Sequence, residues 1–183
     1  GLECARKAVC AYYADQDVFV EADQVVITAG TSDAYSLLFK LLMDPGDTVL
    51  VPRPSYPLFD FLARLDGSET APYTANCPVS LNRALDGGAR AAIVVHPNNP
   101  TGTYVRREER AQWIESVGRL GAALIVDEVF WDYPASEVPH RSSSFASVSN
   151  TLCFTLSGLS KVCGLPGHKL GWIVVSGPDA ERK

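Results

Sequence analysis

Residues 91–129 read AAIVVHPNNPTGTYVRREERAQWIESVGRLGAALIVDEV. Two short runs of aliphatic residues, AAIVVHP (91–97) and AALIVDEV (122–129), flank REERAQWIESVGRL (107–120), in which apolar residues recur every three or four positions. A run that is apolar at nearly every position suits a strand covered on both faces, whereas the three-and-four spacing gives a helix one apolar stripe to lay against a sheet. The segment therefore reads as strand, amphipathic helix, strand, the unit from which a mostly parallel sheet is built.

The same rhythm extends in both directions. QVVITAG (24–30), DTVLVP (47–52), NTLCFTLS (150–157) and GWIVVSG (171–177) are further buried strands, and SETAPYT (68–74) is a further short one. Helices are expected over 32–44, 55–65 and in the opening LECARKAVCAYYA, where Leu2, Ala5, Val9 and Tyr12 share a side. The predicted fold class is α/β, a three-layer αβα sandwich on a mostly parallel central sheet. No repeat, low-complexity tract or linker divides the 183 residues, so one domain is expected.

Composition narrows the partners. A hydrophobic fraction of 46%, a charged fraction of 20% and a net charge of -5 argue against a nucleic-acid surface or a disordered tail. No apolar run reaches bilayer-spanning length, so no membrane partner is expected. The five cysteines are odd in number and lack CxxC pairing, which speaks against a disulfide framework and a zinc site and for a reducing, cytoplasmic setting.

In open α/β sheets ligands bind beyond the carboxyl ends of the strands. Five predicted strands lead into TAGTS, PRPSYP, HPNNPTG, DEVFWDY and SGLSK, so one crevice would collect Thr31, Ser32, Tyr56, Asn99, Asp127 and Lys161. Singly these motifs are ambiguous. Gly30-Thr31-Ser32 is either an ordinary helix cap or a cradle for an anion, because a helix start presents unpaired N–H donors. AALIVDE matches the metal-holding strand of a P-loop ATPase, but the chain has no Gly-Lys dipeptide, and so no loop of that family to cradle phosphates.

Taken together, the motifs are specific. Gly30-Thr31-Ser32, Pro54-Ser55-Tyr56-Pro57, Asn98-Asn99-Pro100-Thr101-Gly102, Asp127-Glu128-Val129-Phe130 and Ser160-Lys161, followed by Leu165-Pro166-Gly167-His168-Lys169-Leu170-Gly171-Trp172, occur in the order and spacing of the class I/II aminotransferases. The sequence closely resembles the large, cofactor-binding domain of these fold-type I pyridoxal phosphate enzymes over essentially its whole length.

The resemblance implies pyridoxal 5′-phosphate as cofactor and a role for each motif. Lys161 would form the Schiff base with the cofactor aldehyde and later shuttle a proton; Asp127 would face the pyridine nitrogen and keep it protonated. Asn99 would donate to the ring oxygen O3′, and Tyr56 would stack on the ring. Gly30, Thr31 and Ser32, with a hydroxyl from Ser157 or Ser160 and the cation of Lys169, would hold the phosphate. Cis peptides are implied at Arg53-Pro54 and Asn99-Pro100.

Two positions depart from the family pattern. Lys169 stands where many relatives have arginine, which exchanges a bidentate contact for a point charge. Phe130 stands where tyrosine commonly donates to O3′. The resemblance further implies that 1–183 is a large domain lacking its N-terminal segment and C-terminal small domain, that the full-length protein is a homodimer, and that an amino acid and a 2-oxo acid are its substrates. The alternatives are a carbon–sulfur lyase or decarboxylase of the same fold, or a noncatalytic regulatory domain.

Overall fold

The computed structural model describes residues 1–134 and 141–178, so residues 135–140 and 179–183 of the expected single unit lie outside the described residues. Seven strands, β1 (Val25–Thr28), β2 (Thr48–Arg53), β3 (Glu69–Thr74), β4 (Ala91–Val95), β5 (Ala123–Asp127), β6 (Cys153–Gly158) and β7 (Gly171–Ser176), form one sheet in the order β1-β7-β6-β5-β4-β2-β3. Five neighbouring strands, β3 through β6, run parallel, and β7 is antiparallel to both β6 and β1. Two antiparallel pairings in succession turn β1 back into the common direction. The carboxyl ends of β1, β2, β4, β5 and β6 therefore all open on one edge.

The strands of 91–129 behave as their composition dictates: every residue of β4 and β5 is buried. Alternate side chains go to opposite layers. Ala91, Ile93, Val95, Ala123 and Ile125 pack with Tyr35, Leu38 and Phe39 of α2 (Thr31–Leu42) and with Phe59 and Ala63 of α3 (Leu58–Leu65). Ala92, Val94, Leu124 and Val126 pack on the other face with Trp113, Ile114 and Val117 of α5 (Arg107–Arg119). On that second face α1 (Glu3–Ala14) covers the β7 end, with Val9 and Tyr13 against Trp172 and Val174. This is the three-layer α/β arrangement expected from the sequence.

Some elements differ from the sequence reading. The stripe of α1 runs through Val9 and Tyr13 rather than through Leu2, which is exposed, and the Trp172 indole N–H donates to the Tyr13 hydroxyl at 3.3 Å. A helix not anticipated, α4 (Pro78–Leu85), buries only Leu81 and Leu85, one turn apart, after a proline at its first position. Helix α3 starts at Leu58 rather than 55, because the residue before a proline is pushed out of helical geometry and Tyr56 precedes Pro57. That late start leaves Tyr56 on a loop at the strand ends.

The end of β4 carries a buried histidine. His96 Nδ1 accepts the Val105 N–H at 2.9 Å, Ser142 Oγ lies 3.2 Å from Nε2, and the rings of Tyr104, Trp131 and Phe145 surround it. Burial first, then the nearby Arg110 and Arg141, push its pKa from 6.5 down to about 3. A neutral buried ring stabilises the fold fully above 6.5, and this contribution is lost as pH falls toward 3, because the unfolded chain binds the proton more readily. The slope in that window is about 1.4 kcal/mol per pH unit. Melting curves between pH 7 and 4 should show the wild-type protein losing stability on acidification more steeply than His96→Gln; parallel curves would contradict this assignment.

Candidate active site

The β1–α2 turn is shaped by close backbone approach. Gly30 has φ 112°, a conformation that side-chain-bearing residues rarely adopt. Thr28 Oγ1 donates to the Gly30 carbonyl at 3.0 Å, and Asp33 accepts the Ala29 N–H at 3.0 Å. A Cβ on Gly171 would sit 2.9 Å from the backbone of Gly30, and one on Gly158 would sit 2.9 Å from the Leu170 carbonyl. Glycine at 158 and 171 thus lets the start of α2 close onto the β6–β7 ends. The first N–H groups of a helix lack partners within it, and they carry the positive end of its dipole.

Asp127 closes β5. It is buried, its Oδ1 accepts the Val129 N–H at 3.1 Å, and its Oδ2 accepts the Tyr35 hydroxyl at 2.9 Å. Burial raises its pKa, and the two hydrogen bonds work against that rise. Glu128, the next residue, points away from Asp127. It accepts the Ser144 hydroxyl at 2.6 Å and the Phe145 N–H at 2.8 Å, and burial pushes it up to about 7. The acidic pair is therefore one carboxylate toward the strand-end crevice and one that ties the 144–147 segment to the sheet.

Lys161 lies in the single turn α6 (Leu159–Val162) that follows β6. Its side chain is exposed, with Nζ 5.5 Å from the centroid of the Phe130 ring, and its carbonyl accepts the Tyr133 hydroxyl. Across the crevice the Asn98 amide donates to the Pro54 carbonyl at 3.1 Å and to Thr101 Oγ1 at 2.9 Å. Asn98 thereby joins the β2 and β4 loops. The peptides Arg53-Pro54, His96-Pro97 and Asn99-Pro100 are cis, two of which the sequence pattern anticipates.

These elements enclose a cleft of about 290 Å³. Its wall brings together Gly30, Thr31, Ser32, Tyr56, Asn99, Asp127, Phe130, Ser160 and Lys161, together with Gly158 and the apolar side chains of Phe59, Val95, Val129 and Leu170. Ser157 and Lys169 are not on that wall. Ser157 is buried within β6, opposite Trp172, with an Oγ that has no hydrogen-bond partner among the described residues. Lys169 is exposed, in a left-handed turn with φ 47°, one residue before Leu170.

The sequence profile of aminotransferase class I and II matches residues 1–180. The chain belongs to the class I and II aminotransferase family. It is 27% identical to glutamate-pyruvate aminotransferase AlaA of Haemophilus influenzae, covering 100% of this chain and 47% of that protein. It is 30% identical to S-alkyl-thiohydroximate lyase SUR1 of Arabidopsis thaliana, over 98% of this chain and 40% of the relative. Among solved structures, an alanine aminotransferase from Pyrococcus furiosus superposes with a TM-score of 0.87 at 28% identity, covering 98% of this chain and 47% of that one. The chain thus spans about half the length of the curated relatives it matches.

Members of the family are pyridoxal phosphate dependent. The donor set of this aminotransferase-family cleft fits that group chemically. A helix start and the Ser160 hydroxyl suit a phosphate, a buried carboxylate suits a protonated ring nitrogen, an amide suits a phenolic oxygen, and one amine suits an aldehyde.

Among aminotransferase-family site features, two escaped the sequence reading. Tyr35 reads there as one member of the apolar stripe of α2, although it lies one helical turn after Thr31. Phe59 reads likewise as the stripe of α3. The signal that would have found Tyr35 is that four-residue offset, since residues i and i+4 share a helix face.

Proposed function

We propose that this chain is the cofactor-binding part of a pyridoxal phosphate-dependent aminotransferase that moves an amino group from an amino acid to a 2-oxo acid. The observation that carries the reading is the convergence of the Lys161 amine, the buried Asp127 carboxylate and the start of α2 on one cleft, in a chain of this family.

When bound, pyridoxal phosphate withdraws the electron pair left at the amino-acid Cα and stores nitrogen between the two half-reactions. The N–H groups of Thr31 and Ser32, with the Ser160 hydroxyl, would hold its phosphate. Asp127 would accept the ring N–H, and its negative charge would keep the proton on that nitrogen. Asn99 would donate to the ring oxygen while Tyr56 and Val129 pack against the ring. Lys161 would anchor the aldehyde carbon at rest and, once displaced by substrate, take the proton from the substrate Cα, a transfer favoured because the amine is tethered in place. Phe130 offers no hydrogen bond to the ring oxygen, and its ring face lies 5.5 Å from Lys161 Nζ instead.

A homodimer and a cytoplasmic location belong to the same reading. Leu37 and Leu41 of α2 and Phe61 and Leu65 of α3 leave exposed apolar surface that suits a covering partner, and five free cysteines suit a reducing compartment.

The relative named as a lyase supplies the competing reading, cleavage of a carbon–sulfur bond. The two separate on full-length protein supplied with candidate amino acids, with and without 2-oxoglutarate as acceptor. Transamination requires the acceptor for sustained 2-oxo acid formation. Acceptor-independent release of pyruvate with a thiol would favour the lyase instead.

A further inference from the structure

Among the described residues two donors reach the Asp127 carboxylate oxygens, and they differ in kind. The Val129 N–H that reaches Oδ1 at 3.1 Å belongs to the backbone two residues on and follows from the local turn. The Tyr35 hydroxyl that reaches Oδ2 at 2.9 Å comes from another element, 92 residues earlier. Tyr35 is 3% exposed and does not line the cleft, so it approaches the carboxylate from behind. Its ring packs against Phe59, centroid to centroid 5.2 Å, and Phe39, 5.9 Å, which holds the ring in place behind the carboxylate.

We infer that Tyr35 is a positioning residue for the proposed cofactor site: it orients the Asp127 carboxylate and stabilises it as an anion, so that the proton shared with a ring nitrogen stays on the nitrogen. The inference rests on the function proposed above. Burial, followed by the adjacent carboxylate, pushes the Tyr35 phenol well above its ordinary range, so the hydroxyl is the donor and Asp127 the acceptor. A donor bound to a carboxylate favours its charged form, and without it a buried carboxylate takes up a proton more readily.

The position of Tyr35 also gives α2 two tasks. Its first residues, Thr31 and Ser32, line the end of the cleft suited to phosphate, and Tyr35 follows one turn later, about 6 Å along the axis. One rigid helix would thereby set the distance between the phosphate cradle and the carboxylate meant for the ring nitrogen. The aromatic contacts that lock Tyr35 come from α2 and α3 alone, so this setting does not depend on the loops that carry Asn99 and Lys161.

The test uses full-length protein and two probes, pyridoxal 5′-phosphate and its 1-deaza analogue, in which a C–H replaces the ring nitrogen. Tyr35→Phe removes one oxygen and keeps the ring that packs against Phe39 and Phe59. Fluorescence titration should show Tyr35→Phe weakening pyridoxal 5′-phosphate binding about tenfold, the scale of a hydrogen bond to a charged group, while the deaza analogue changes less than about twofold. In an Asp127→Asn background the Tyr35→Phe change should add less than about twofold for either probe. Equal weakening of both probes would make Tyr35 a packing residue and overturn the inference, as would no change in either or an additive loss on Asp127→Asn. Wild-type protein that binds neither probe would overturn the proposed function, and the inference with it.

Discussion

Lys161→Ala in the full-length protein is expected to lose covalent cofactor capture and to transaminate about 10⁴-fold more slowly, the upper range for a positioned proton-transfer group. Lys161 is the amine on the cleft wall, set there by the β6–α6 turn. Among the described residues no other lysine is on that wall, and Lys169, eight residues later, is not part of it. Removing the side chain leaves the fold almost untouched: the side chain is exposed, and the Tyr133 hydroxyl bonds to the Lys161 carbonyl, which alanine retains. The stability change should stay within about 0.5 kcal/mol, as for surface positions. Borohydride reduction in the presence of pyridoxal phosphate, followed by peptide mapping, should label Lys161 in the wild-type protein and nothing in the variant. A label on another residue would displace Lys161 from its proposed role.

Asp127→Ala is the second large effect, a fall of about 10³-fold in transamination, typical of removing a charge-stabilising group from a buried site. The change also leaves the Tyr35 hydroxyl and the Val129 N–H facing an empty space, at about 1–3 kcal/mol for each unsatisfied buried donor. Relief from burying a carboxylate opposes that loss, because burial is the largest influence on the Asp127 pKa. The melting temperature should therefore move far less than the rate. Turnover within tenfold of wild type, with the melting curve unchanged, would remove Asp127 from the proposed site. Asp127→Asn separates charge from hydrogen bonding, since its carbonyl still accepts from Tyr35 while the negative charge is gone.

The elements that were legible in the sequence are those whose burial follows a regular pattern along the element. β4 and β5 are buried at every position, so composition alone marks them, and α5 shows its stripe because one side faces the sheet and the other faces water. Helix α4 escaped because eight residues with two buried leucines carry too little periodicity to stand out. The direction of β7 escaped because strand pairing is a property of two segments. Burial of its residues is the same whichever way it runs.

At the cleft, the motifs named nine residues that the fold brings to one wall, and chain order with type sufficed because each follows a strand end. Ser157 and Ser160 illustrate what motif reading leaves undecided. Both are serines near the end of β6, yet Ser157 is the fifth residue of that strand and is buried in the sheet, while Ser160 lies beyond it in α6 and reaches the cleft. A shift of one residue in the strand end would have changed which hydroxyl was available.

By itself the sequence determined the layered α/β class, the family and the residue types gathered at the strand ends, because apolar runs, turn chemistry and motif order are local properties of the chain. Only the tertiary structure decided that Tyr35 stands behind Asp127, that Glu128 turns away to hold Ser144, and that Gly171 lets the start of α2 approach β7. Each of those is a contact between segments far apart in the chain, set by strand order and by which face of the sheet a side chain meets, and no local pattern records either.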